Sequence, residues 1–246
     1  MYKFSFFLFV LFCSFIPKKD FISEQKKFER VRKAFTEKEN SISKTLSSQN
    51  ISINEVEIML IAYKHEEQLE LYAKKKSALA YQKIETYEIC SSSGSLGPKR
   101  KQGDNQVPEG FYYIDRFNPT SNFYLSLGVS YPNQSDKRKS TASDLGGDIF
   151  IHGSCVTIGC MPMTDDKIKE IYLYAISARQ NGQSKIPVYI FPFKMTDQNF
   201  NAFSTKYKNN SNLIKFWSNL KTGFDKLEVE KSELKYSISG SGDYLF

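Results

Sequence analysis

Apolar residues fall at every second place in Val56, Ile58, Leu60 and Ala62, then Lys64-His65-Glu66-Glu67 interrupts, and Leu69, Leu71 and Ala73 resume the alternation. A period of two on either side of a polar turn predicts a hairpin, against a helical alternative over Val56–Lys76 suggested by its Glu and Lys content. Further strands are expected at Ala80–Ile89, Phe111–Ile114, Asn122–Val129, Asp148–Ile151 and Ile186–Phe193, with a last one through Leu234, Tyr236 and Ile238. Pro187 and Pro192 put the Ile186 strand at a sheet edge or mark its ends. The period changes to that of a helix at Ile168, Ile171, Tyr172, Ala175 and Ile176. Thr164 is its N-cap, Asp165 and Asp166 sit where the helix dipole favours carboxylates, and Asn181-Gly182 stops it. A C-terminal helix is expected over Asn212–Leu220 around the only tryptophan, Trp217, ending at Thr222-Gly223.

Ahead of these elements the pattern is thinner. Phe28, Val31 and Phe35 give Glu24–Glu37 the narrow stripe of an exposed helix, and the Ser-rich Asn40–Asn50 stretch reads as a linker. Residues 1–16 place Lys3 before about a dozen apolar residues, too few to span a bilayer and arranged as an export signal or N-terminal anchor. Cys13 raises lipidation, although Phe12 stands where a small residue is needed. The expected division is therefore 1–16 as leader or anchor, 17–50 as polar helix and linker, and 51–246 as one folded domain that includes the C-terminal helix and strand. Its fold class is mainly β, sandwich- or barrel-like, with packed helices.

An aromatic content of 15%, mostly Phe and Tyr, suits a β-rich core. The net charge of +7 would hold the chain near anionic envelope polymers or simply reflect a lysine-rich surface; no nucleic-acid module is present.

Chemistry concentrates in one stretch, Ile149 to Asp165, which reads as a buried strand, a loop bracketed by Gly153 and Gly159, then a cysteine and a helix cap. His152 at the strand end and Cys160 at the loop end lie eight positions apart. An imidazole can take a thiol's proton, and the backbone N–H groups of Gly159 and Cys160 could serve an acyl oxyanion. The plain alternative makes Cys160 a small packed hydrophobe and His152 a satisfied core residue. The other histidine, His65, belongs to the hairpin turn with no nucleophile or ligand cluster beside it. Neither C-x-x-C nor H-x-x-x-H occurs, so no zinc site is indicated, and no cofactor is called for.

The H-G pair followed by [Ser/Thr]-x-G-C resembles the signature of the L,D-transpeptidase catalytic domain (YkuD-type) family. The likeness runs from Tyr87 to Met195, through Ser93-Gly94-Ser95-Leu96-Gly97-Pro98-Lys99, Gly103-Asp104, Pro108-Glu109-Gly110-Phe111-Tyr112, Asn118-Pro119 and Tyr131-Pro132-Asn133 with Asp136. It continues through Gly159-Cys160, Met163-Thr164-Asp165, Glu170-Ile171-Tyr172 and Phe191 to Thr196. This set is similar to the murein L,D-transpeptidase-like subgroup that includes the enzyme releasing lipoprotein from peptidoglycan.

The resemblance implies Cys160 as nucleophile, His152 as proton donor and acceptor, and Gly159 with Cys160 as oxyanion donors. It implies substrate contacts from Gly153, Ser154, Thr157, Tyr131, Asn133 and Asp136, with loop stabilisation the alternative for Asn133 and Asp136. Lys99-Arg100-Lys101 either meets carboxylates of a peptide stem or is a solvated loop. The implied substrate is the peptidoglycan stem peptide, attacked at the carbonyl of its diamino acid, with an envelope lipoprotein or another amine as acceptor. The implied place is the periplasm or cell envelope, with membrane contact only through an N-terminal anchor. Two departures stand out: Ile158 where most members carry a second histidine, and Pro162 where most carry an arginine. They leave transpeptidation, hydrolysis and a non-catalytic wall-binding role open. Once a leader is removed, three cysteines remain, so a nucleophilic Cys160 is the unpaired one, and Cys90 and Cys155 are either bridged or both buried thiols.

Overall fold

The alternating run from Val56 folds as the hairpin its period predicts. In the computed structural model, which describes residues 20–246, β1 (Val56–Tyr63) pairs antiparallel with β2 (Gln68–Lys75), placing Ile58 opposite Ala73 and Leu60 opposite Leu71. The proposed leader and Cys13 lie outside the described residues. β3 (Gln82–Glu88), β4 (Gly110–Asn118), β5 (Ser126–Val129), β6 (Phe150–His152), β7 (Met161–Pro162) and β8 (Pro187–Phe191) complete one mixed sheet. Its order is β3-β2-β1-β8-β4-β5-β6-β7. The helices are α1 (Phe21–Gln25), α2 (Glu29–Ser48), α3 (Gln134–Lys139), α4 (Asp165–Gln180), α5 (Asp197–Lys206) and α6 (Ser211–Glu230). A small pair, β9 (Ser237–Ile238) and β10 (Tyr244–Leu245), follows them. The mainly β architecture with packed helices is thus a curled mixed sheet covered on both faces.

Strand parity divides the interior into two cores. Ile58, Leu60 and Ala62 of β1, with Val188 and Ile190 of β8, pack into an aliphatic core with Ile168, Ile171 and Ile176 of α4 and Val31 and Leu46 of α2. Met59, Ile61 and Tyr63, with Tyr189 and Phe191, point the other way, into an aromatic core with Phe111, Phe193, Trp217 and Phe224. Successive side chains leave a strand on opposite faces, so one continuous apolar run serves both layers.

Several sequence expectations need correction. β8 is not an edge strand; it sits between β1, parallel to it, and β4, antiparallel to it. Pro187 opens the strand and Pro192 follows its end, so the prolines mark termini, the other reading of that rule. The Asn40–Asn50 linker is instead the second half of α2, whose stripe continues through buried Ile42 and Leu46 and packs on α4. Lys38 joins the two helices through Asp166 (2.6 Å) and Glu170 (3.0 Å). α6 does not stop at Gly223 but runs to Glu230. A Cβ at Gly223 would stand 2.5 Å from the Phe246 ring and 2.6 Å from Phe111, so this glycine admits close aromatic packing. α5 and α3 have no counterpart in the expectations, and the strand expected over Asn122–Val129 is confined to Ser126–Val129.

The two edges of the sheet are joined. Cys90 follows β3 and donates its N–H to Pro162 O of β7 at 3.0 Å. Its sulfur is bridged to Cys155 (Cα–Cα 5.5 Å), and Lys167 reaches Glu88 O at 3.0 Å. The seam covers edge groups that would otherwise template further pairing. It also settles the open alternative for Cys90 and Cys155, leaving Cys160 as the free cysteine of the described residues.

Candidate active site

The seam lies beside the motif. β6 runs antiparallel to β5, with His152 opposite Ser126, and parallel to β7, with His152 opposite Pro162. Extending that register by two positions sets Cys160 opposite Phe150. Strand spacing then sets the two Cα atoms about 8 Å apart, given ~4.8 Å between strands and ~3.3 Å per residue. No hydrogen bond joins the two; the Cys160 thiol donates to Asp148 O at 3.6 Å.

His152 is 1% exposed, beneath the ring of Phe123 at 4.7 Å between centroids. Its Nδ1 lies 2.6 Å from Gly153 O, which assigns the ring proton to Nδ1 and leaves Nε2 as the acceptor. Burial lowers its pKa, against the Gly153 carbonyl, so the imidazole is neutral at pH 7. Burial raises the Cys160 pKa; the Phe150 N–H draws it down, the Asp148 carboxylate pushes it up and Lys99 draws it down. The resting pair is therefore neutral thiol and neutral imidazole, the state from which a general base acts.

The loop between them holds an unfavourable backbone. Ser154 (φ 69°) and Cys155 (φ 37°) occupy the left-handed region, at a cost on the order of 1–3 kcal/mol each. Two attachments hold it: the Cys90 bridge, and Asp165, whose Oδ1 accepts the Ser154 N–H at 2.9 Å. A Cβ on Gly153 would lie 2.5 Å from that same Oδ1, so the residue must be glycine for the helix terminus to approach. Thr157 Oγ1 accepts both the Gly159 N–H (3.1 Å) and the Cys160 N–H (2.8 Å) and donates to Cys160 O (2.8 Å). The expected oxyanion donors are thus engaged within the chain, and Thr157 shapes the turn.

Cys160 opens onto a groove of about 570 Å³ whose other walls include Lys99, Gln102, Asn105, Asp144 and Asp148. Of the expected site residues Gly159 and Cys160 line it; His152, Gly153, Ser154, Thr157, Tyr131, Asn133 and Asp136 do not. Asn133 and Asp136 form the reciprocal N-terminal cap of α3. Asp136, 1% exposed, also accepts from Arg100 (2.9 Å) and Tyr112 (3.0 Å), while Asn133 Nδ2 donates to Phe111 O and Tyr244 Oη. The buried Tyr131 hydroxyl bonds to Lys99 O (3.3 Å) and Leu145 O (3.2 Å), tying the two groove walls from beneath. These three expected substrate contacts are structural supports, the alternative already weighed for Asn133 and Asp136. The basic run is divided: Lys99 is buried in the groove wall, Arg100 turns onto Asp136 and Lys101 is exposed. His65 stays in its exposed turn, edge-on to Phe203. Sequence reasoning missed Gln102, Asn105, Asp144 and Asp148, which come from loops without periodic pattern, and Asp165 as a loop anchor. The adjacent Gly146-Gly147 pair was the available signal of a loop passing close to something.

Comparison with known proteins identifies the family. Residues 58–190 match the model of the YkuD family, described as an L,D-transpeptidase catalytic domain. The chain is 40% identical over 178 residues to the Escherichia coli (strain K12) protein named "Putative L,D-transpeptidase YafK", covering 72% of this chain and 68% of that one. Among solved structures it is similar to the helical cell shape determining protein Pgp2 from Campylobacter jejuni (TM-score 0.45, 17% identity, 76% of this chain and 74% of that chain). Bdellovibrio bacteriovorus Bd1075 also matches (TM-score 0.38, 20% identity, 62% of this chain and 57% of that chain). On the family match and the relationship to the E. coli protein, the chain belongs to the L,D-transpeptidase catalytic domain family.

Proposed function

We propose that this protein is a cysteine acyltransferase acting on peptidoglycan stem peptides. The observation that carries the reading is the free Cys160 lining an open groove, with neutral His152 on the strand that the Cys160 register adjoins. Nε2 of His152 takes the thiol proton as sulfur attacks the carbonyl of the stem diamino acid. The Gly159 and Cys160 N–H groups then turn from Thr157 Oγ1 to the oxyanion, a stronger acceptor than a neutral hydroxyl. The tetrahedral adduct collapses as His152 returns the proton to the leaving amine, and a Cys160 thioester remains. A second amine, including one on an envelope lipoprotein, or water then accepts the acyl group, with His152 taking the acceptor's proton. The first outcome is transpeptidation and the second is carboxypeptidase or amidase chemistry. The Sγ to Nε2 hydrogen bond forms with substrate in place, as such bonds commonly do.

The Cys90–Cys155 bridge and the apolar run of residues 4–16 support action in the oxidising cell envelope. Among the described residues no helix is long and apolar enough to cross a membrane.

A second reading, a wall-binding protein without turnover, is favoured by Thr157 occupying the oxyanion donors and by Ile158 and Pro162 in the motif. Incubating the protein with purified muropeptides and weighing the products distinguishes the readings. New cross-links, shortened stems or released lipoprotein identify the acceptor, and a carbapenem adduct on Cys160 identifies the nucleophile. Unchanged muropeptides together with an unmodified thiol would support the binder.

A further inference from the structure

The groove beside Cys160 holds a buried cation and an unpaired carboxylate on separate walls. Lys99 has a side chain 6% exposed, and its ammonium donates to Asp104 Oδ1 (2.7 Å) and Lys101 O (2.9 Å). An ammonium has three N–H donors, so one is left without an oxygen acceptor; the Tyr131 ring centroid stands 5.9 Å from Nζ. Asp104 is saturated: besides Lys99 it accepts the N–H groups of Arg100, Lys101 and Gln106, and its pKa is lowered although burial opposes this. It therefore fixes the ammonium in place and is not the group awaiting a ligand.

Asp144, on the other loop that lines the groove, is exposed and accepts the Gly146 N–H (2.8 Å), and among the described residues no cationic side chain pairs with it. Its neighbour Asp148 differs, being held by Arg116 at 2.9 Å. The two walls keep a fixed relation, because Gln102 N–H donates to Asp144 O (3.0 Å) and the Tyr131 hydroxyl spans Lys99 O and Leu145 O. A groove lined by both a buried ammonium with an N–H to spare and an exposed carboxylate is complementary to a zwitterion.

We propose that Lys99 and Asp144 form a charge-paired subsite for the zwitterionic far end of the stem diamino acid, Lys99 taking its carboxylate and Asp144 its ammonium. The assignment rests on the stem-peptide reading above. It makes these two residues determinants of specificity, placing the far end a few bonds from the carbonyl that Cys160 attacks.

The test uses the full chain carrying Cys160→Ser and three synthetic stem tetrapeptides. Their diamino acid has a free far end, a far carboxyl converted to amide, or a far amine acetylated. Calorimetric titration should find the free form binding about 10- to 100-fold tighter than either derivative, the usual worth of one charged hydrogen bond. Lys99→Met should abolish the preference over the amide and keep that over the acetylated peptide, and Asp144→Asn the reverse. Equal binding of all three peptides overturns the subsite, and so does a Lys99→Met variant that weakens all three alike, the mark of a purely structural lysine. Should Lys99→Met not fold, Lys99→Arg, which retains the charge, must keep the preference. Turnover by the unsubstituted enzyme is scored separately. Discrimination without any Cys160 adduct keeps the subsite and removes acyl transfer; thioester formation at equal KM from all three does the opposite.

Discussion

The motif loop and the aromatic core are built on opposite principles. Between His152 and Cys160 the chain is mostly exposed, passes twice through left-handed backbone, and is held by a bridge, one carboxylate and one hydroxyl. The ion pair that ties the aromatic core to the end of β1 is enclosed and matched. Lys64 donates to Glu109 (2.9 Å), Gly97 O (2.7 Å) and Val107 O (2.9 Å), and fully buried Glu109 also accepts from Gly97 N–H (2.7 Å) and Trp217 Nε1–H (2.9 Å). Rings meet there edge to face, Phe193 with Trp217 at 5.2 Å and Phe111 with Tyr244 at 4.7 Å. Reactivity and stability are thus lodged in different parts of one sheet, and substitutions should separate them.

The largest separation is expected from Cys160→Ser, which should reduce muropeptide turnover by about 10⁴-fold or more while leaving Tm nearly unchanged. A large fall in Tm would show that the thiol is a packing residue. Glu109→Ala should act in the reverse sense, costing about 3–5 kcal/mol because Lys64 is left charged and enclosed. Denaturant titration measures that loss, and turnover per folded molecule should persist below the new midpoint. Asp165→Ala lies between the two. Losing the anchor of Ser154 should cost about 1–2 kcal/mol and lower turnover, because the Gly153 carbonyl that orients His152 is no longer held. Asp165→Asn, which keeps an oxygen acceptor, should restore most of both.

The smallest effect is a pH response. Burial holds the His152 pKa below its ordinary ~6.5, so the neutral base survives mild acid and turnover should fall only at pH below that value. The same sign governs stability: the contribution of neutral His152 is complete above ~6.5 and is lost as pH falls through the depressed value. Alkylation of Cys160 without substrate should instead rise only above the ordinary thiol range, since burial raises its pKa. Rapid alkylation at pH 6 would mean a preformed thiolate and would overturn the neutral pair.

Much of this architecture is legible from the chain. Period-two runs located β1 and β2, and Thr164 with Asn181-Gly182 bounded α4 because capping is local chemistry. His152 and Cys160 stood out because strand end and loop end are also local features. Legibility fails where distant contacts outvote composition. Ile42 and Leu46 are spaced as a helix face, yet their serine-rich surroundings masked the stripe that α4 covers. Gly223 reads as a stop until Phe111 and Phe246 are seen against it. Asn133 and Asp136 carry the cap spacing, but the six residues of α3 are too polar for periodicity to support it. Of the groove walls the basic run through Lys99 was legible, but Asp144 was not, because the two loops are joined only by long-range bonds such as Gln102 N–H to Asp144 O and Tyr131 Oη to Lys99 O and Leu145 O.

The division of β1 between two cores has a consequence for how this sequence tolerates change in length. Adding one residue between Val56 and Tyr63 would exchange the occupants of both layers downstream, sending Tyr63 among the aliphatic side chains and Ala62 among the rings. Adding two would restore the parity and shift only the hairpin turn. Even steps in the length of this strand should therefore be tolerated better than odd ones, which need a bulge to restore parity, and a library of short insertions would expose the difference directly.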